Sequence, residues 1–281
     1  MMSYLPDSRA LTLGSSAVTM SAAGPPAWKA EGVVGITMHN QANTLRSCLQ
    51  SIAQQQGISF PLAILILDDA SRDDWTKTAG EYLLRPDVVV AHARCGSAAR
   101  ARNTLLDLID HEFPRARWVA RLDADDRFAT PHSLAAAEKL TRRPDFGFVL
   151  GGNRLRRDGI LLQGSNFAAP ELLDRANIIS RLDGMARGLP EAELPSCNLL
   201  LARGGGWRYP EQTSAEDHWL VARLLLQHAA QGAILTEPLY CDYSLNGAVT
   251  RANHNQNRYL AARQALLAAA RTWAPSKGTS S

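Results

Sequence analysis

Three carboxylates fall within four positions, Asp123, Asp125 and Asp126, in the stretch WVARLDADDRF. Residues 118–122 read as a strand arriving at a sheet edge. Side chains two apart on a strand share a face, so Asp123 and Asp125 can point the same way while Asp126 turns at the strand's end. Clustered carboxylates repel one another unless a cation or several donors hold them. Oxygen-only ligands suit Mg²⁺ or Mn²⁺, ions commonly shared with substrate phosphates. The plainer reading is an acidic turn that caps the next helix, with Asp126 or Thr130 near its start.

Other polar groups also stand at the ends of apolar runs. His39 and Asn40 follow VVGITM at 33–38, and Asp68 and Asp69 follow the run 62–67. Glu216 and Asp217 stand in the first turn of a helix that Ser214 is placed to cap, where the helix dipole favours acids.

The elements that must position these groups alternate. Apolar runs at 33–38 and 62–67, without polar alternation, fit strands buried on both faces, with a third short strand at 88–91 and a fourth at 118–122. Helical spacing joins them at 43–54, where Asn43 is placed as N-cap, from about 73 to 84, and at 97–109. Strand and helix in alternation with short links predict right-handed crossovers and a parallel sheet. Ligands of such sheets sit beyond the carboxyl ends of the strands, where His39, Asn40, Asp69 and the Asp123 cluster all fall. Further on, the pattern predicts a helix at 132–142, strands at 146–150, 196–202, 233–235 and 239–243, and a hairpin at 153–163 around Asp158-Gly159. Helices at 171–180, 214–229 and 259–273 complete the chain.

The 281 residues, 46% hydrophobic and 20% charged, suffice for one large domain or two small ones. A net charge of +3 argues against nucleic acid as a partner. Cys48, Cys95, Cys197 and Cys241 form no CxxC pair, so neither a zinc knuckle nor a disulfide framework is expected, and reduced thiols in a cytoplasmic protein are. No apolar run reaches the ~18 residues that would read as a transmembrane segment. Residues 1–31 hold no continuous apolar signal core and read as a mobile leader; 275–281 read as a disordered tail. Between them, 32–128 and 129–254 read as two halves of the folded chain, and 255–274 as a closing helix. HNQANT follows the first strand where a dinucleotide fold would carry GxGxxG, and no Walker A motif occurs.

In order along the chain, VVGITMHN, LDDASRD, GSAARARN, LDADD and GGGWRYPEQTSAEDHW resemble the motifs of inverting family 2 glycosyltransferases of the GT-A fold. The resemblance runs from about Val33 to Arg251. Ala70 stands where the family usually has Gly, and GSAARARN carries one extra residue. The resemblance implies an α/β GT-A fold, with a nucleotide-sugar-binding half at 32–128 and an acceptor-binding and catalytic-base half at 129–254, a nucleotide-sugar donor and a divalent Mn²⁺ or Mg²⁺ ion. It places Thr37, His39 and Asn40 around the base, and Asp69 on the base's imide N–H, which favours uracil or thymine over guanine. It places Arg102 by the base or phosphates and Asn103 as a buttress. Asp123 and Ala124 would lie at the ribose, and Asp125 and Asp126 on the metal. Asp217 would be the general base, with Glu216 beside it for the acceptor. Asn246, in YSLN, holds the position of a family His that completes the metal site.

Blander readings stand beside these. Asp68 bonds its own loop, and Asp73 and Asp74 cap the following helix. Arg100 and Arg102 cannot both face the pocket from one helix, and Arg102 is preferred. Trp207 and Trp219 either stack on an acceptor sugar or pack in the core. His218 has no second His at ligand spacing. Competing functions are a sugar-1-phosphate nucleotidyltransferase, which needs a Gly- and Lys-rich loop after the first strand, and a catalytically silent nucleotide-sugar-binding protein. The acceptor is expected to be a small molecule, a saccharide or a lipid-linked compound, the last at a membrane surface.

Overall fold

The computed structural model describes residues 7–13, 16–22, 28–162, 168–196, 199–212, 214–246 and 258–274. The apolar runs form strands β3 (Gly32–Met38), β4 (Leu62–Asp69), β5 (Val88–Ala93) and β6 (Trp118–Asp123). These pair in parallel in the order β5-β4-β3-β6. Val33, Val34 and Ile36 are all buried, as are Ile64, Leu65 and Ile66. Successive residues of a strand face opposite sides, so both sides of this sheet are covered. Helices α1 (Ala42–Ala53) and α2 (Trp75–Ala79) pack on one side, and α3 (Ala98–Glu112) on the other.

Beyond β6 the sheet becomes mixed. Strand β11 (Leu199–Ala202) runs antiparallel between β6 and β8 (Phe148–Gly151), and β12 (Gly232–Leu235) closes that edge in parallel to β8. A second sheet orders β10 (Ile160–Leu161), β9 (Asn153–Arg157), β13 (Cys241–Ser244) and β7 (Arg127–Phe128). The turn joining β9 to β10 places Asp158 at φ 50° and Gly159 at φ 82°, the two positive angles of the expected hairpin turn. Helix α4 (Ser133–Lys139) is shorter than the expected 132–142, ending in a 3₁₀ turn at Leu140–Arg142. Helices α5 (Arg175–Ala186), α6 (Glu216–Gln227) and α7 (Arg258–Ala270) cover the α3 side of the sheet. Among the described residues, no helix is long and apolar enough to cross a membrane.

The expected mobile leader is corrected. Strands β1 (Asp7–Leu13) and β2 (Ser16–Ala22) form a hairpin, and β2 pairs antiparallel with β5. Val18, Met20 and Ala22 alternate inward and are buried, while β2 covers the hydrogen-bonding groups that β5 would otherwise leave open. Residues 1–6 and 23–27 of the expected leader, and the whole tail 275–281, lie outside the described residues. Capping also departs from expectation. Asn43 lies inside α1, and the backbone N–H of Ala42 instead donates to Asp73 Oδ2 at 2.7 Å. Asp73 therefore caps the helix before it in the chain, not the one after. Cys48, Cys95 and Cys241 are buried and form no disulfide among the described residues, and Cys197 lies outside them.

Candidate active site

The carboxyl ends of β3, β4 and β6 bring the expected polar clusters to one edge. Asn40 is held in the left-handed region at φ 53°. Its N–H donates to Ser71 Oγ (2.9 Å) and its Oδ1 accepts from the Arg72 N–H (2.7 Å), so it stitches the loop after β3 to the loop after β4. His39 Nδ1 lies 2.6 Å from the Asp69 carbonyl, which can only accept, and Nε2 lies 2.8 Å from the Asn40 amide nitrogen. With these partners Nδ1 donates to the carbonyl and Nε2 accepts from the amide. Asp68 bonds its own loop as expected: Oδ1 accepts from the Ser71 N–H at 3.0 Å, and Oδ2 lies 3.1 Å from His92 Nδ1. Asp69 accepts the Cys95 N–H on Oδ1 at 2.6 Å, and among the described residues its Oδ2 takes no hydrogen bond. Ala70 adopts φ 54°, which explains why glycine suits this position.

Asp123 is the hub. Its Oδ1 accepts from Arg121 Nη2 at 2.6 Å and its Oδ2 from Arg102 Nη2 at 3.0 Å, with the Thr37 hydroxyl at 3.4 Å from Oδ1. Burial pushes its carboxyl up, but the Arg102 and Arg121 charges outweigh that and hold its pKa down to about 2. Arg102 also pairs with Glu216 at the start of α6 and lies over the Tyr209 ring at 5.4 Å. Arg102 is thus spent between two carboxylates, where the expectation had it reaching for base or phosphate. Asn103 buttresses the Tyr209 segment by two reciprocal backbone bonds of 2.8 Å. Arg121 and Tyr209 were missed. The one available signal was a charged residue at the centre of an otherwise apolar strand, and Arg121 is wholly buried there.

The three acids diverge where a continued strand would have aligned two of them. β6 ends at Asp123, and the Asp126 N–H bonds back to the Asp123 carbonyl at 2.9 Å, closing a turn. Asp126 faces inward, 1% exposed, and accepts the Ser244 N–H at 2.7 Å. Asn246 leaves the cluster, its amide donating to Asp158 Oδ1 at 2.7 Å. Asp125 stays half-buried and, among the described residues, forms no ion pair; burial, then the charge of Asp123, push its pKa up to about 6. Ala124 is fully buried between them. Among the described residues, no three His, Cys, Asp or Glu side chains form a metal-holding group. A divalent ion at this edge would therefore rest on Asp125 alone of the three acids, with remaining positions left to water and substrate oxygens, as Mg²⁺ commonly takes them.

Helix α6 presents the second acidic pair. Ala215, at φ 59°, occupies the N-cap position, and the expected Ser214 cap fails because that turn carries the Ser214 hydroxyl away. Ser214 Oγ is buried with no hydrogen-bond partner. Asp217 Oδ2 accepts from the Ser196 hydroxyl and Oδ1 from the His218 N–H, both at 2.8 Å. Burial pushes its carboxyl up, but the charges of His218 and Arg102 prevail and hold it below the usual range. Burial dominates at Glu216 and raises it. Trp207 donates to the Ala202 carbonyl at 3.0 Å and Trp219 packs on Trp273 at 5.7 Å, so both serve packing.

This arrangement is a GT-A fold, and solved glycosyltransferase structures share it. S. aureus TarS residues 1–349, in complex with UDP-GlcNAc, matches at a TM-score of 0.62 with 18% identity, over 85% of this chain and 66% of that one. The mannosyltransferase PcManGT from Pyrobaculum calidifontis, with GDP-Man and Mn²⁺, matches at 0.53 with 16% identity, over 89% and 76%. Glucosyl-3-phosphoglycerate synthase from Mycobacterium tuberculosis, with Mn²⁺, UDP and glucosyl-3-phosphoglycerate, matches at 0.54 with 14% identity, over 90% and 84%. The sequence profile described as Glycosyl transferase family 2 matches residues 33–174, just over half of the chain, and the chain belongs to that family. A curated relative, Uncharacterized protein MT1568 of Mycobacterium tuberculosis (strain CDC 1551 / Oshkosh), is 28% identical over 130 residues, which cover 46% of this chain and 38% of the relative. The chain thus spans well under half of that relative's length.

Proposed function

We propose that the protein is an inverting glycosyltransferase that moves a sugar from a nucleotide-diphosphate donor to an acceptor hydroxyl, with Mn²⁺ or Mg²⁺. The observation that carries this reading is a division of labour among the acids, linked through Arg102. Asp125 forms no ion pair among the described residues, while Asp217 is kept ionised at a helix N-terminus. Asp125 is the protein carboxylate that would hold the ion. The chemistry such an ion supplies is charge neutralisation on the leaving diphosphate. Asp126 and Asn246 support the loop in this assignment and do not ligate.

Asp217 takes the proton of the acceptor hydroxyl as its oxygen attacks the anomeric carbon. The nucleotide diphosphate leaves from the opposite face and the carbon inverts. A depressed carboxyl is a weak base, but it stays deprotonated and can accept the proton late in the displacement. Ser196 and the His218 N–H fix the carboxylate for that role. Glu216 is tied to Arg102 and so steadies the edge without touching the acceptor. Asp69 Oδ2, which takes no hydrogen bond among the described residues, would accept an imide N–H, which favours UDP- or dTDP-sugars. The complex of TarS with UDP-GlcNAc supports a uracil donor.

The test is nucleotide diphosphate release from UDP-, dTDP- and GDP-sugars, with Mn²⁺ or with chelator, beside Asp125→Asn and Asp217→Asn. Manganese-dependent release from a uracil or thymine donor is expected, lost in Asp125→Asn. Asp217→Asn should lose transfer while UDP still raises the melting temperature. Loss of UDP binding in Asp217→Asn would move that residue to the donor pocket, and a protein that neither turns over nor binds any donor would sink the reading.

A further inference from the structure

His218 sits one position after the proposed base and is 1% exposed. Its Nε2 lies 3.1 Å from Glu193 Oε1, and its Nδ1 lies 3.8 Å from Asp217 Oδ1 and 3.4 Å from the Tyr259 hydroxyl. Glu193 in turn pairs with Arg263 and accepts from the Tyr259 hydroxyl at 3.3 Å. Tyr259 and Arg263 both belong to α7. The charges alternate along this line: Asp217 negative, His218 positive, Glu193 negative, Arg263 positive. Carboxylates on two sides of an imidazole favour its charged form. Burial opposes them, and Arg263 opposes them more weakly, yet the His218 pKa stays above the usual imidazole range. Buried ion pairs seldom stabilise more than apolar packing of the same volume. Helices α6 and α7 already share such packing through Leu220, Leu224 and Leu266. A charged line costs desolvation that holding α7 in place does not require.

We propose that His218 is a positioning residue: as an imidazolium held by Glu193, it keeps the Asp217 carboxylate ionised and aimed, and so makes the C-terminal helix part of the catalytic apparatus. This rests on Asp217 being the base. Two consequences separate it from a purely structural role. Removing the cation beside Asp217 raises the proton affinity of that carboxylate. Removing Glu193 lowers the affinity of His218 for its own proton.

The experiment is kcat and donor KM against pH for wild type, His218→Gln and Glu193→Gln, with Asp217→Asn as reference. His218→Gln is expected to lose at least about tenfold in kcat, part of the 10²–10⁴ that a positioned base supplies. Its donor KM should hold, and its acid limb should rise by roughly 1–3 pH units, the effect of one charge about 4–6 Å away. Glu193→Gln should leave the acid limb in place and bring the alkaline limb down, because His218 then loses its proton sooner. A His218→Gln enzyme with wild-type kcat and acid limb would overturn the proposal. If that variant does not fold, Glu193→Gln decides alone, and an unmoved alkaline limb overturns it. Full transfer by Asp217→Asn would instead remove the base assignment on which the proposal stands.

Discussion

Arg102 is the residue whose loss the structure prices most clearly. It is buried, it donates to Asp123 at 3.0 Å, and it pairs with Glu216 across 114 positions of sequence. Replacing it by Met keeps much of the stem and removes the charge. Asp123 would retain Arg121 at 2.6 Å, but Glu216 would have no other cationic partner among the described residues. Breaking a buried pair by removing one partner costs about 3–5 kcal/mol, because the remaining charge is stranded. Glu216→Gln alone leaves Arg102 satisfied by Asp123, so its cost is about 1.5–3 kcal/mol, the worth of a hydrogen bond to a charged group. In the double variant no charge is stranded at Glu216, so the second change should add almost nothing to the first. The expected coupling is therefore about 2 kcal/mol, within the span found for residues in direct contact. Urea unfolding of the four proteins at pH 7 measures it, provided the slope is unchanged across the set. A double variant destabilised by the plain sum of the singles would refute the reasoning, since Glu216 would then not depend on Arg102.

Two further outcomes are expected. Ala70→Gly should raise the melting temperature, because a left-handed alanine costs about 1–2 kcal/mol while glycine gives back only roughly 0.5–1 in chain entropy; a lower melting temperature would contradict the strained turn. At Glu193, burial pushes the carboxyl up from 4.5, but His218 and Arg263 win and hold it down to about 2. Its contribution is thus fully present above pH 4.5 and lost as pH falls through about 2. A shift of this size corresponds to about 3 kcal/mol, so Glu193→Gln should be less stable by roughly that amount at pH 7 and should flatten the fall in stability between pH 4.5 and 2. Parallel acid profiles for the two proteins would refute it.

Much of the site's location was legible from the chain because the signal is local. Apolar runs such as 33–38 and 62–67 show no polar alternation, so they had to be strands covered on both sides, and their ends had to carry whatever binds ligand. The hairpin of β1 and β2 was hidden by the same logic. Val18, Met20 and Ala22 alternate correctly, but in a segment rich in Ser, Ala and Thr such a pattern stabilises nothing until an open edge, here β5, receives it. Asp73 was read as capping forward because local caps dominate; in the fold it reaches back to Ala42.

Composition and order alone determined the family-like succession of motifs, the parallel half of the sheet and the edge at which His39, Asp69 and Asp123 meet. Only the tertiary structure decided what each acid does there. Spacing puts Asp123, Asp125 and Asp126 side by side, yet one turn sends the first to Arg102 and Arg121, leaves the second alone and buries the third against Ser244. Likewise, nothing near His218 in the chain announces Glu193, Tyr259 or Arg263. A side chain's charge state depends on what is packed within a few ångströms of it, and those neighbours come from distant parts of the chain, so sequence could nominate these residues but could not assign their roles.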